Sequence, residues 1–493
     1  MTATVEVLVV GAGPTGLIAA ATLARRGVRV RLVEARSRPQ VGSRGKGVQP
    51  RTLELLDGFG VAGRLLAAGR SRLVIRRVDP DGTVHEHDMG KGADQAPTTP
   101  FTRSMVLPQW RLEETLRALL AGYGVGVEFG TRLTGMRPGE DGVTVELSSG
   151  EHLRADWLIG ADGGSSTVRK LAGVSFLGVT REEQQMLLGD FRLDGVDRDW
   201  WHARRRSGGQ RLSLVPLPET DSFVLQAEIN ESDGDVEPTL ATFQALVDDA
   251  CGPGVVTLRE ALWTSRWRYN ERMVDRFRVG RVLLAGDAAH VHAPAGAQGM
   301  NTGVHDGINL GWKLASVLRG APELLLDTYE QERLPVAAAV LGLSRELLTR
   351  FAQFEVSDFD AMSGLGITYR GGPLSPAWNG AGPHPGDRSP DATCARPDGR
   401  PVRLFELQRG GDWTLYRFGG GPLPEIAGVN AHSIGTDLLD PHAAARSAYQ
   451  ARDGEFVLVR PDGHIGHRTE DAATVTAYLA AFCGKADPIR TVA

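Results

Sequence analysis

Three glycines open the chemistry of this chain. Gly11, Gly13 and Gly16 stand in the run Gly-Ala-Gly-Pro-Thr-Gly, directly after the apolar segment 5–10 and directly before a helical pattern over 17–26. The first glycine permits a tight turn, the second lets bare backbone approach a pyrophosphate, and the third allows close helix packing. The N-terminus of the helix that follows offers unpaired N–H groups and positive potential to phosphates. Glu34 ends the next apolar run, 29–34, near the spacing at which an acid accepts hydrogen bonds from ribose hydroxyls. A carboxylate there repels a 2′-phosphate, which favours FAD or NAD over NADP as the resident dinucleotide.

A second constellation is Asp162-Gly163, which follows the buried-strand pattern 156–160 and precedes small polar residues and Arg169. Taken alone, Asp162 reads equally as a ligand contact or as a helix N-cap. The third is Gly286-Asp287 after the apolar run 281–285, followed by a Pro/Gly-rich loop holding Pro294, Gly296, Gly299, Met300 and Asn301. Asp287 is placed to grip a polyol. The loop presents backbone amides beside a ligand, and a helix starting near 299–303 aims positive potential at it. Such a site stabilises the negative charge of a reduced flavin. His290 and His292 lack a thiolate or acidic partner at ligand spacing, so no metal site is expected. Trp312, between Leu310 and Leu314, reads as core.

These motifs need elements to hold them. The first 34 residues form a βαβ unit, which calls for a parallel sheet covered by helices. Residues 110–121 read as an amphipathic helix. Between about 175 and 275 the pattern turns to strand-like alternation at 211–217, 223–229 and 264–269, an antiparallel sheet with one face toward the first domain. Trp200, Trp201, Phe223, Trp267 and Tyr269 on it serve either an aromatic ligand or the core. The apolar run 281–287 returns to the parallel sheet, so the nucleotide domain is discontinuous. Helical stretches follow over 304–319 and 324–351, then a Gly/Pro-rich linker at 371–390. The last hundred residues have the layout of a small α/β domain.

The 493 residues exceed one compact core, and the balance of 41% hydrophobic to 23% charged residues is that of a globular protein. A net charge of −5 without a basic block gives no sign of nucleic-acid or membrane-surface binding. Cys251, Cys394 and Cys483 lie far apart with no CxxC. That excludes a disulfide framework and fits a reducing cytoplasm. No leader or spanning segment is read, and a cytoplasmic location is expected.

Together the three ordered motifs resemble the FAD fingerprint, Asp-Gly motif and Gly-Asp motif of the single-component FAD-dependent aromatic hydroxylases, the para-hydroxybenzoate hydroxylase and phenol hydroxylase family, over about residues 5–345. Arg44-Gly-Lys-Gly-Val-Gln-Pro-Arg-Thr-Leu-Glu54 and Pro108-Gln109-Trp-Arg-Leu-Glu113 are most similar to actinobacterial aromatic polyketide hydroxylases and rifampicin monooxygenases. The resemblance implies an α/β fold. An FAD-binding domain would comprise 1–70, 101–175 and 275–345, and a substrate domain 71–100 and 176–274. A helix and linker would follow at 346–390, and a thioredoxin-like domain without CxxC at 391–493. It implies FAD held by Gly11, Gly13, Gly16, Glu34, Arg44, Gln109, Asp162, Asp287, Gly299, Met300 and Asn301. Pro294, Gly296 and Gly299 would form the oxygen-reaction site, with no side-chain base identified. NADPH or NADH would be a transient cosubstrate. O₂ would be activated as a flavin C4a-hydroperoxide and one atom delivered to a phenolic ring such as a polyketide or antibiotic. Glycines 42, 45, 47, 296 and 299 would leave room for the flavin to swing. Baeyer-Villiger insertion and a non-catalytic flavin-binding partner are the alternatives; the WxWxIP signature of flavin halogenases is absent. A homodimer is one option for the assembly.

Overall fold

The apolar strand Ala3–Val10 has Val7, Leu8 and Val9 fully buried, as a strand covered on both faces must. In the computed structural model, which describes residues 3–72, 74–79, 81–88, 98–230, 233–292, 298–352 and 362–483, this strand is central to an eight-stranded sheet. It pairs in parallel with His152–Gly160 on one side and Val30–Glu34 on the other, and Val282–Leu284 extends the sheet beyond His152–Gly160. The nucleotide sheet therefore draws strands from three distant stretches of chain. Each delivers its C-terminal end, and the motif that follows it, to one edge.

Two helices cross above this sheet because of a glycine ladder. Gly303, Gly307 and Gly311 recur every fourth residue on Gln298–Leu318 and so share one face. A Cβ at Gly307 would lie 2.8 Å from the Thr15 carbonyl oxygen, and one at Gly311 would lie 2.7 Å from Thr22 Cβ. The bare face lets this helix press against Pro14–Ala24, which brings its start beside the glycine turn.

The expected second sheet is also eight-stranded and almost wholly antiparallel. The stretch expected at 264–269 is part of an 18-residue strand, Thr257–Val274, that pairs along the length of Phe176–Asp194. The stretch expected at 281–287 is shorter, since the strand stops at Leu284 and Gly286–Ala288 form a 3₁₀ turn. The next two residues, His290–Val291, pair with Thr257–Val274 and join the second sheet. Alternation sorts the side chains of this sheet. Leu212, Leu214, Phe223, Leu225, Ala227 and Ile229 pack against the helix Leu240–Cys251, through Phe243, Leu246 and Val247. The intervening residues face the nucleotide domain.

Toward the C-terminus, Trp413–Phe418 pairs in parallel with Val429–Ile434 and antiparallel with Phe456–Val459, which pairs in turn with Ile465–Thr469. With the helices Ala444–Tyr449 and Ala472–Cys483 this is the thioredoxin-like arrangement. The crossover at 419–428 is a Gly/Pro loop without a helix. Burial, then Asp440 and Asp391, pushes the Cys394 thiol up to about 12, so it carries no thiolate. The expected linker at 371–390 is packed down: Gly386 N donates to the Ile465 carbonyl at 2.7 Å, and Leu374 and Ser389 are fully buried.

Buried charges join this domain to the first. Glu332 accepts from Lys313 Nζ at 2.6 Å and from Arg460 at 2.6 and 2.8 Å, while Asp462 accepts from Arg460 and from Trp312 Nε1 at 3.0 Å. Trp312 is core, as its flanking leucines imply. Among the described residues no helix is long and apolar enough to cross a membrane.

Candidate active site

The motifs converge on one cavity of about 1610 Å³ between the two large sheets. Gly11 sits at φ 103°, and its N–H donates to the Val33 carbonyl at 2.8 Å, which closes the turn. A Cβ on Gly11 would lie 2.8 Å from Asp162 Cα, and one on Gly16 would lie 3.1 Å from the Gly11 carbonyl carbon. Both positions exclude a side chain. Gly13 differs: nothing lies within 4 Å of where its Cβ would be, and the residue lines the cavity. No side chain caps the helix Pro14–Ala24 that starts there. Bare backbone and an uncapped helix N-terminus thus face open space, a cradle for a pyrophosphate.

Glu34 also lines the cavity, although buried. Its Oε2 accepts from Ala12 N at 2.8 Å and its Oε1 from Arg36 N and Nε at 2.9 and 3.0 Å. Burial opposes its ionisation, but these hydrogen bonds outweigh burial and hold the carboxyl below its usual range. It remains an anionic acceptor at the far end of the cradle.

Asp162 resolves toward the capping alternative. Its carboxylate accepts from Ser166 Oγ and, at 2.7 and 3.1 Å, from Thr167 N and Val168 N at the start of the helix Thr167–Leu171. The side chain ties its own loop, and residues 161–164 line the cavity. Arg169 then joins this loop to the third motif, donating to the Gly164 carbonyl at 2.8 Å and to the Ala288 carbonyl at 2.9 Å.

Asp287 is exposed to the cavity and Arg44 lies on its wall, each without an ion pair among the described residues. Gln109 bridges: Oε1 accepts from Gly45 N at 2.9 Å and Nε2 donates to Glu113 at 2.8 Å. Gly299 and Met300 line the cavity at the first turn of Gln298–Leu318. Asn301 is buried, is not among the cavity-lining residues, and clamps the segment before the helix Pro50–Asp57, with Oδ1 accepting from Gln49 N and Nδ2 donating to the Gly47 carbonyl, both at 2.9 Å. Pro294 and Gly296 lie outside the described residues. At Gly42 a Cβ would run into the Trp263 ring, so packing already requires glycine there, whereas at Gly45 it would make only a close contact, 3.2 Å from Gln109 Oε1.

The alternate residues of the second sheet form the opposite wall, and Trp201, Trp267 and Tyr269 lie on it. Trp200 does not line it, and Phe223 belongs to the far-side core. Burial, then Glu228, pushes the Tyr269 hydroxyl up, so it is no base. Lys46, Ser213 and Gln226 also line the cavity. Sequence reasoning passed over these three; for Ser213 and Gln226, alternation with Leu212, Leu214, Leu225 and Ala227 was the available signal. Among the described residues no group of three or more His, Cys, Asp or Glu could hold a metal ion. His290 Nε2 donates to Asp306 Oδ2 at 2.7 Å.

The residues fit FAD: an uncapped glycine cradle at one end, an anionic acceptor beyond it, and an aromatic-walled chamber at the other. Drug-sized pockets measure about 300–1,000 Å³, so a cavity of about 1610 Å³ has room for a dinucleotide and a second ligand together. Fold and site define an FAD-dependent monooxygenase. Residues 4–344 match the FAD binding domain family and residues 382–486 the aromatic-ring hydroxylase C-terminal family, and the chain belongs to the FAD-dependent aromatic-ring hydroxylases. It is 42% identical over 486 residues to a flavin-dependent monooxygenase of Mycobacteroides abscessus, covering 96% of this chain and 99% of that one. It is 32% identical to a rifampicin monooxygenase of Streptomyces venezuelae, covering 98% and 99%. Aklavinone-11 hydroxylase, solved as a ternary complex with FAD and aklavinone, superposes with a TM-score of 0.81 at 30% identity, covering 97% of this chain and 99% of that one.

Proposed function

We propose that this chain hydroxylates a polycyclic phenolic molecule of the polyketide or antibiotic type, using NADPH or NADH and O₂. The observation that carries the reading is the single cavity running from Gly13 to Trp201, Trp267 and Tyr269. Backbone at Gly11, Gly13 and Gly16 would receive the pyrophosphate and Glu34 the ribose. Arg44, Gln109, the Asp162 loop and Asp287 would hold the rest of FAD, with Gly299 and Met300 at its ring and Asn301 fixing the neighbouring strand. Pro294 and Gly296 would complete the oxygen-reaction site. Bound there, FAD supplies reduction by nicotinamide and transfer of one oxygen atom from O₂.

The chain's own residues bind, orient and exclude water. Segments 1–70, 101–175 and 275–345 would carry the cofactor, and 71–100 with 176–274 would roof the substrate. The apolar members of the roof, Met186, Leu188 and Trp201, dry the chamber beside the ring site. Segment 391–493 would have a packing role, through Arg460 and Asp462.

The test is nicotinamide oxidation by the FAD-loaded protein with and without a panel of mono- and polycyclic phenols. Stimulation by polycyclic phenols, with a product one oxygen heavier, supports the reading. An ester from a ketone substrate would replace it with Baeyer-Villiger insertion, and a yellow protein that oxidises no nicotinamide would point to a non-catalytic role.

A further inference from the structure

The polar trio on the cavity wall has an order that packing alone does not require. Lys46 Nζ donates to Gln226 Oε1 at 2.7 Å, and Ser213 Oγ donates to the same oxygen at 3.4 Å. An ammonium has only donors, so the amide must turn its oxygen toward Lys46 and its –NH₂ away. That –NH₂ has no hydrogen-bond partner among the described residues and belongs to a residue on the cavity wall. Lys46 retains N–H bonds beyond the one given to Gln226. Two donor groups, one cationic, therefore stand together on a cavity wall that also carries Leu188, Trp201 and Met186.

We propose that Lys46 and Gln226 form an oxyanion-binding subsite that receives an ionised phenolic or enolic oxygen of the substrate. This rests on the aromatic-hydroxylase reading and extends it by naming the group that makes the ring electron-rich. An electrophilic oxygen atom attacks a phenolate faster than a phenol, because the ionised oxygen donates more electron density to its ortho and para carbons. On binding, the substrate O–H bond breaks, its proton leaves to solvent, and the electron pair stays on oxygen beside the Lys46 ammonium. No other reactant is needed. Lys46 is a positioning and charge-stabilising group here and transfers no atom.

The groups facing Lys46 agree with this role. Asp190 on Phe176–Asp194 is the charged neighbour acting on it, Trp201 on Trp200–Arg205 presents its ring 5.4 Å away, and Gln226 and Ser213 are neutral. Burial lowers the Lys46 value to about 8 although Asp190 raises it, so the ammonium persists through neutral pH. Burial also raises Asp190 to about 6 against the influence of Ser43 and Lys46, so above that pH a carboxylate stands near the ammonium. A substrate anion in the chamber would supply a second counter-charge from the open side.

The experiment follows the ionisation of a chromophoric polycyclic phenol, 1,2-dihydroxyanthraquinone, by its visible spectrum during pH titration with FAD-loaded protein. Dye-free protein is the reference, and flavin content is measured for every variant. A cation in contact shifts such a titration by about one unit or more, and the wild type is expected to ionise bound dye that far below free dye. Lys46→Met should abolish the shift, Lys46→Arg should retain it, and Gln226→Glu should reverse it. Wild type and Lys46→Met ionising bound dye alike, with full flavin content, would overturn the proposal while leaving the hydroxylase reading intact. Failure of every phenol to stimulate nicotinamide oxidation would remove that reading, and the proposal with it.

Discussion

Arg333 Nε donates to Asp306 Oδ1 at 2.7 Å, and both side chains are fully buried. The other oxygen of Asp306 accepts from Gly286 N at 3.0 Å and contacts His290 Nε2 at 2.7 Å. Arg333 also donates to Tyr369 Oη at 3.1 Å. One carboxylate thus holds the turn that presents Asp287 to the cavity and ties it to the helix Leu324–Ala352, which carries Arg333.

Asp306→Asn is therefore expected to destabilise the protein by about 3–5 kcal/mol, because it leaves Arg333 as a buried charge without its counter-ion. Denaturant unfolding at neutral pH measures this. Burial opposes ionisation of Asp306, but Arg333 and His290 hold it far below the usual carboxylate value. A depressed carboxylate contributes stability above its unfolded value of about 4, lost as pH falls toward the folded value. The wild type should lose stability in acid below about pH 4, and the variant should show a shallower acid slope.

Glycines 11 and 13 should fail differently. Gly11→Ala places a side chain at φ 103° against the Asp162 backbone and should lower thermal stability with or without flavin. Gly13→Ala adds a Cβ with nothing within 4 Å of it. It should fold with unchanged stability but bind FAD at least about 10-fold more weakly, or about 1.4 kcal/mol. Calorimetry of flavin-free and flavin-loaded samples separates the two outcomes.

Removal of residues 391–493 would strip Arg460 from Glu332 and expose Trp312, both fully buried in the whole chain. The truncated chain should fail to give soluble, flavin-binding protein. Glu332→Gln in the full chain should lower stability without removing flavin, which thermal melts and visible absorbance would report together.

Turnover with a phenolic substrate should decline above about pH 8, as the Lys46 ammonium is lost. Burial lowers the folded value of this group, so its charged form is present below that pH and absent above it. Lys46→Arg should keep the plateau to higher pH, because a guanidinium does not deprotonate there. The kcat/KM profile is the readout.

What the sequence disclosed follows from how each feature is encoded. Gly11, Gly13 and Glu34 are legible because backbone geometry and one acid make the cradle, and both sit within a single βαβ unit. Asp162 was ambiguous since capping and ligand binding ask for the same residue type. Asn301 was implied to hold FAD, and Asp306 and Arg333 carried no signal; only the burial of their helices, set by partners far along the chain, gives the three structural work. Lys46 and Gln226 lie in segments 180 residues apart. Their meeting depends on which face of the roof sheet meets the first domain, a register that local alternation does not specify.

Hydroxylation requires FAD and an aromatic ring to lie side by side in the cavity that Gly13 and Trp201 both line. Turnover under isotopically labelled O₂, with a polycyclic phenol and limiting NADPH, tests this most directly by mass spectrometry. The expected result is one labelled oxygen in the aromatic product for each nicotinamide consumed. Nicotinamide consumed with every phenol tested, all of the label in hydrogen peroxide and none in product would contradict it.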